Sequence, residues 1–293
     1  MISIMNRLHP FTVFIYYALV IGITAFMMHP VILGISFIGV MAFKIIEREE
    51  FKIKSVAVCI MAFLVLSLLN PLFYHNGKTV LLVINQNPIT LEAIIYGMVA
   101  AGVIITVLLW CQKMAQYMTT DKTMYLIGKL SKKGGLIIAM VFRLMPQYRT
   151  QAKEIRETQK ALGLFKKESY IEKLISHFHV FSAMVTWALE HSVDTADSMR
   201  ARGYGIRKRS SYTNYRFQIW DAVYIVVMLT ILGIVLAQSM RNQLSVTYYP
   251  EFSLKYVIAE NWGTYLTYGF LVFMMPMVES KEIIKWNYLM WKK

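Results

Sequence analysis

Charge is scarce in this sequence, and acidic charge scarcer than basic: 17 Asp and Glu stand against 31 Lys and Arg in 293 residues, and together they make up 16% of the chain. Set beside a hydrophobic content of 57%, that is too little charge for a water-soluble domain of this length. Cysteine is nearly missing as well. Cys59 and Cys111 both lie in long apolar runs, where a thiol acts as a small buried hydrophobe, so a disulfide framework is excluded. No Gly/Ser/Pro-rich or low-complexity stretch divides the chain, which is therefore read as one domain over 1–293. The early apolar run is followed by Met27, Met28, His29 and Pro30 instead of a small-residue cleavage site, so it reads as a helix of the mature protein.

Catalytic motifs are missing too. There is no His-Glu-x-x-His zinc helix and no Gly-x-Ser-x-Gly nucleophile turn, which argues against an intramembrane protease. Gly128-Lys129 lacks the upstream glycine of a phosphate loop, and His177 and His179, two residues apart, point to different sides of a helix. No catalysis, metal or cofactor is expected in this chain. The net charge of +14 reads as membrane topology, with no nucleic-acid partner.

What the sequence does contain is length in its apolar runs. A hydrocarbon core about 30 Å thick needs roughly 20 helical residues. Six runs approach that length, at 11–28, 31–46, 55–73, 91–111, 218–238 and 262–278, and predict an all-α, polytopic membrane bundle. Basic residues then set the orientation, because cytoplasmic loops keep the positive charge. With the N-terminus inside, 28 of the 31 Lys and Arg fall on the cytoplasmic side and only Lys78, Arg241 and Lys255 outside. Both termini are thus assigned to the cytoplasm, and Asp221, at the start of a span, to headgroup level.

Nineteen of the basic residues lie in 113–217, a segment of helical character between membrane blocks 1–112 and 218–293. Within it, 135–146 and 174–189 are apolar enough to cross and return, which would leave the orientation unchanged. One helix is predicted from Leu136 to about Leu162, about 40 Å long, with Pro146 bending it where apolar sequence gives way to polar. Its polar half carries Arg149, Lys153, Arg156 and Lys160 at spacings of four, three and four, a basic stripe on one face. That stripe suits anionic headgroups or an acidic partner surface. A second helix is predicted over Ile171–Arg202, with Ile171, Leu174, Ile175, Phe178, Phe181, Val185 and Leu189 on one apolar face and Gly203 as its left-handed cap. Arg200 fits either a partner contact or the helix dipole, and Asp194 and Asp197 fit a solvated or salt-bridged role.

The two helix ends repeat one another at an offset of 40 residues: Thr158-Gln-Lys-Ala-Leu-Gly-Leu164 against Ser198-Met-Arg-Ala-Arg-Gly-Tyr204. Each has a cation two residues before the position preceding glycine, then alanine, then the glycine, then a hydrophobic residue.

On Arg143-Leu-Met-Pro146, Gln159-Lys-Ala-Leu-Gly163 and Met199-Arg-Ala-Arg-Gly-Tyr204, flanked by blocks of membrane helices, the chain resembles the transmembrane T component of energy-coupling factor (ECF) transporters, a type of ABC transporter. The likeness covers most of the chain and is most specific over 140–205. It implies a plasma-membrane subunit of a prokaryotic vitamin or metal-ion uptake system. It also implies two ATP-binding subunits that carry ATP and Mg, a separate membrane substrate-binding S component, and two Ala-Arg-Gly helix ends docked into the ATPases. Carried onto this chain, the coupling residues are Ala161, Leu162 and Gly163 at the first end and Ala201, Arg202 and Gly203 at the second, with Arg156, Lys160, Arg200 and Tyr204 in support. Leu162 stands where the family has arginine. The two contacts are then unequal, which favours two different ATPases over two copies of one. The alternative function is a stand-alone, ion-driven secondary transporter, although such proteins place charged groups near mid-membrane and the spans here hold almost none.

Overall fold

The computed structural model describes residues 8–47, 53–74, 78–84, 87–163, 170–206, 215–241, 246, 248 and 262–291. Leu164 and the basic residues Arg7, Arg48, Lys52, Lys255, Lys292 and Lys293 lie outside them. The chain is nearly all helical and divides into two compact units: Met1–Thr120 with Tyr215–Lys293, and Asp121–Asn214.

The first unit contains α1 (Pro10–Phe26), α2 (Pro30–Ile46), α3 (Ile53–Phe73), α4 (Leu91–Tyr117), α8 (Ile219–Met240) and α9 (Trp262–Trp291). Local chemistry sets where several of them begin. Pro10 and Pro30 open α1 and α2, where the missing N–H costs nothing. In each case the preceding histidine, His9 or His29, accepts the backbone N–H of the residue after the proline at 3.2 Å through Nδ1. The Thr90 hydroxyl caps α4 by accepting from Ala93 N at 3.4 Å.

Between α3 and α4 lies one short hairpin, which leaves the chain nearly all helical. Val80–Ile84 (β1) and Asn87–Thr90 (β2) pair antiparallel, with Val80 opposite Thr90 and Ile84 opposite Asn87. Val-Leu-Leu-Val-Ile is five residues long and begins and ends on β-branched side chains. Such a run is too short for a stable helix and suits a pleated strand.

Buried aromatics hold this unit together. Trp110 of α4 sits edge-on to Tyr16 and Tyr17 of α1 and Phe43 of α2, with centroids 6.1–6.2 Å away. Its indole N–H donates to the Ser36 hydroxyl at 2.9 Å. Ser36 and the Tyr268 hydroxyl each lie 2.9 Å from the Thr24 hydroxyl, and Tyr16 donates to the Val272 carbonyl at 2.8 Å. One continuous set of hydroxyls therefore ties α1, α2, α4 and α9, and each satisfies another that burial would otherwise leave bare. Backbones approach closely where glycine permits. A Cβ on Gly39 would stand 2.0 Å from Val272 Cγ1, and one on Gly97 2.6 Å from the Ser67 carbonyl oxygen.

Asp221 and Lys113 are among the charged residues buried in this unit. Asp221, at the start of α8, accepts from His9 N at 3.1 Å, Thr12 Oγ1 at 3.2 Å and Gln218 N at 3.0 Å. One carboxylate thus caps α8 and pins the start of α1 to it. Lys113, assigned to the cytoplasmic segment, lies inside α4, which runs on to Tyr117. Its side chain is 0% exposed, with Nζ 2.6 Å from Glu47 Oε2, and the same carboxylate accepts from the Tyr117 hydroxyl.

Outward, this unit is apolar. Val58, Ile60, Met61, Leu64 and Leu68 on α3 and Ile219, Trp220, Val226 and Leu229 on α8 are exposed. Among the described residues α4 and α8 are each long and apolar enough to cross a membrane, while α1, α2 and Val56–Pro71 are shorter apolar helices.

The second unit contains α5 (Thr120–Leu130), α6 (Lys132–Ala161) and α7 (Tyr170–Ala201), α5 beginning one residue before its boundary. The Ser131 hydroxyl caps α6 from the Gly134 N–H at 3.2 Å, and α5 meets α6 at Gly128 and Gly135, where a Cβ on Gly135 would come within 2.4 Å of Gly128 Cα. Pro146 lies within α6, and Thr150 Oγ1 donates to its carbonyl at 3.2 Å. Helices α6 and α7 run antiparallel. Tyr148 meets Trp187 edge-on at 5.3 Å, while Leu136–Gln147 share a groove with His191–Tyr204.

Candidate coupling surface

Both repeated helix ends close as their composition predicts. α6 stops at Ala161 and α7 at Ala201, and the glycines that follow take left-handed backbone, φ 82° at Gly163 and 77° at Gly203. At the second end Tyr204 N donates to the Met199 carbonyl at 3.0 Å and Gly203 N to the Arg200 carbonyl at 2.9 Å. These two bonds make up the Schellman closure, which satisfies the carbonyls that the helix end leaves open. At the first end Gly163 N makes the matching bond to Lys160 O at 3.1 Å, and Leu162 N bonds Thr158 O at 3.0 Å.

A substitution at Gly203 tests how much the turn depends on backbone conformation. A Cβ there would meet only Ile206 Cδ1, at 3.5 Å, so room is not the constraint. Gly203→Ala is expected to lower stability by about 1–2 kcal/mol through the left-handed φ alone, and Gly203→Asn by less. Thermal unfolding of the two variants side by side checks this.

Because α6 and α7 are antiparallel, the two ends lie at opposite ends of the hairpin. Residue for residue, α7 with its 32 residues spans about 48 Å at 1.5 Å per residue. The ends also differ in character. Leu162 is 74% exposed and apolar, whereas Arg202 is exposed and cationic.

Arg202 lines a cavity of about 580 Å³ between α6 and α7, whose wall also includes Arg143, His191, Asp194, Met199 and Tyr204. Arg143 and Met199–Tyr204, both singled out in the sequence, are thus brought to one place. No protein-family profile and no curated protein matches the chain. The groove, two arginines facing one carboxylate and one imidazole, has a cationic balance that suits an acidic surface.

The supporting residues are less tightly gathered. Arg200 pairs with Asp197 of its own helix at 3.7 Å, and Lys153 with Glu157 at 3.8 Å; all four are well exposed, and such pairs contribute little. Arg149, Lys153, Arg156 and Lys160 are exposed along α6, as a stripe open to an outside partner requires. His177 and His179 are exposed. Among the described residues no three His, Cys, Asp or Glu side chains come together as a metal site.

The α7 face that meets α6 is not the one with the most regular apolar pattern. Trp187, His191, Thr195 and Met199 turn toward α6, with Trp187 and His191 stacked at 5.0 Å. Ile171, Leu174, Ile175, Phe178, Phe181, Val185 and Leu189 are all exposed. The Trp187–His191 spacing of four was the signal for the inner face, and it is outweighed in the sequence by the longer apolar stripe.

Proposed function

We propose that this chain is the transmembrane energy-coupling subunit of an ATP-driven vitamin or metal-ion uptake transporter in the plasma membrane of a prokaryote. In this reading it is the T component of an ECF-type ABC transporter: it spans the bilayer several times, with the residues before α1 and after α9 on the cytoplasmic side. The observation that carries the reading is the Ala201-Arg202-Gly203 helix end, closed by glycine, exposed and beside a groove that also holds Arg143.

Two cytoplasmic ATPases, which bind ATP and Mg, grip the two ends of the α6–α7 hairpin. Movement between the ATPases displaces the ends, and the helices transmit it as rigid rods, because bending them would break backbone hydrogen bonds. The exposed apolar face of α7 supports the third contact. A row from Ile171 to Leu189 with no cover from its own unit suits a membrane-embedded S component, which chooses the substrate. Leu162 gives the first end an apolar contact in place of a charge-assisted one, which favours two different ATPases. The outward apolar surface of α3 and α8 supports the bilayer as the surroundings of the first unit.

Reconstitution separates this from a stand-alone ion-driven carrier. In liposomes, the chain with its ATPases and S component is expected to take up substrate only with ATP inside the compartment that holds the ATPases, and the chain alone is expected to take up none. Ion-driven uptake by the chain alone would sink the proposal.

A further inference from the structure

A second cavity, of about 620 Å³, opens along the side of the first unit between α2, α3 and α4. Its wall is apolar from Pro30 to Met41, and Lys44 is the one charged residue in its lining. Lys44 closes one end, about 21 Å from Pro30 at 1.5 Å per residue. Lys54, exposed at the start of α3 and two residues before Val56 of the lining, marks the same end. Among the described residues Glu47, just past the end of α2, is engaged by Lys113 and Tyr117.

We infer that this groove binds one acyl chain of an anionic phospholipid of the cytoplasmic leaflet, with Lys44 on its phosphate. The inference rests on the membrane placement proposed above. The shape favours a chain over a partner helix. The groove's length of about 21 Å and its narrow apolar wall match an extended hydrocarbon, which at van der Waals width needs on the order of 400 Å³. Charge selects the headgroup. A lysine stem that lies along apolar surface carries its ammonium to the interface, where a phosphate offers the pairing that a zwitterionic lipid half cancels. The groove is also wide at Gly34, where an added Cβ would have no atom within 4 Å.

The test is the full chain in phosphatidylcholine vesicles with trace spin-labelled phosphatidylglycerol or spin-labelled phosphatidylcholine, reading the motionally restricted fraction. The unaltered chain is expected to prefer phosphatidylglycerol, and Lys44 to account for about fivefold of that preference, the effect of one surface lysine. Lys44→Gln should lower the preference by that factor while still restricting phosphatidylcholine, and Gly34→Phe should fill the groove and reduce the restricted fraction of both. Gly22→Phe places the same side chain where an added Cβ also has no atom within 4 Å, outside the groove lining, and should leave both fractions alone. A preference that Lys44→Gln leaves unchanged overturns the inference, as does a restricted fraction that Gly34→Phe leaves unchanged. So does a Gly34→Phe change that displaces a membrane partner and spares lipid selectivity, since the groove then belongs to a helix. Failure of the unaltered chain to enter vesicles overturns the membrane placement itself and is seen before any lipid is compared.

Discussion

Arg202→Glu is expected to release the ATPase subunits while leaving the chain folded. Arg202 follows the last residue of α7, its side chain is exposed, and the bonds that close the turn around it are backbone to backbone, so among the described residues the turn is held without the guanidinium. At an acidic partner surface the loss of one charge-assisted contact costs about 1.5–3 kcal/mol. Reversing the charge adds repulsion, so the weakening should reach about a hundredfold or more. Co-purification of the ATPases should fall to background and ATP-driven uptake with it, while the unfolding temperature of the chain stays put. Arg202→Lys, which keeps the charge but loses the planar fork, should fall between the two. Leu162→Glu, at the other end of the hairpin, should weaken the complex less, because the partner there meets an apolar side chain. Full retention of both ATPases by Arg202→Glu would remove the basis of the proposal.

The second large effect lies in the first unit. Lys113→Met is expected to lower stability by about 3–5 kcal/mol, because it strands the Glu47 carboxylate with only the Tyr117 hydroxyl as an identified partner. The pair itself contributes less than that figure, since both charges had to be taken out of water to form it. Replacing both, Lys113→Met with Glu47→Leu, should therefore recover most of the loss. Thermal unfolding in detergent of the two single variants and the double variant checks the sign of that coupling, and a double variant no better than Lys113→Met would show that packing, not charge, decides.

The sequence was most informative where structure follows from a few neighbouring residues. Pro10, Pro30 and Gly203 act within a turn of where they stand, and the helices begin or end beside them. Asp221 could not be read this way, because its partners His9 and Thr12 lie more than two hundred residues earlier in the chain. Lys113 reads in the sequence as one more basic charge, and its burial is not legible there, since hydropathy records how long a run is and not what Glu47 offers from another helix. In α7 the regular apolar stripe fits either the other helix or a partner, and it is the less regular face, with Trp187 and His191, that packs against α6. Periodicity shows that a face is apolar but leaves open whether its cover comes from the same chain. The hairpin of β1 and β2 was missed for a related reason: a five-residue apolar run between two longer ones carries no period of its own.

The hairpin of α6 and α7 has unlike tips, one apolar and one cationic, separated by nearly the length of a helix. An object of that kind has a direction. In the complex proposed above, two different ATPases would have two orientations on it that are not equivalent, and only one would set an acidic surface against Arg202. The spacing between the tips would then act as a gauge for the pair, and the chemistry of each tip would decide which member of the pair takes which place.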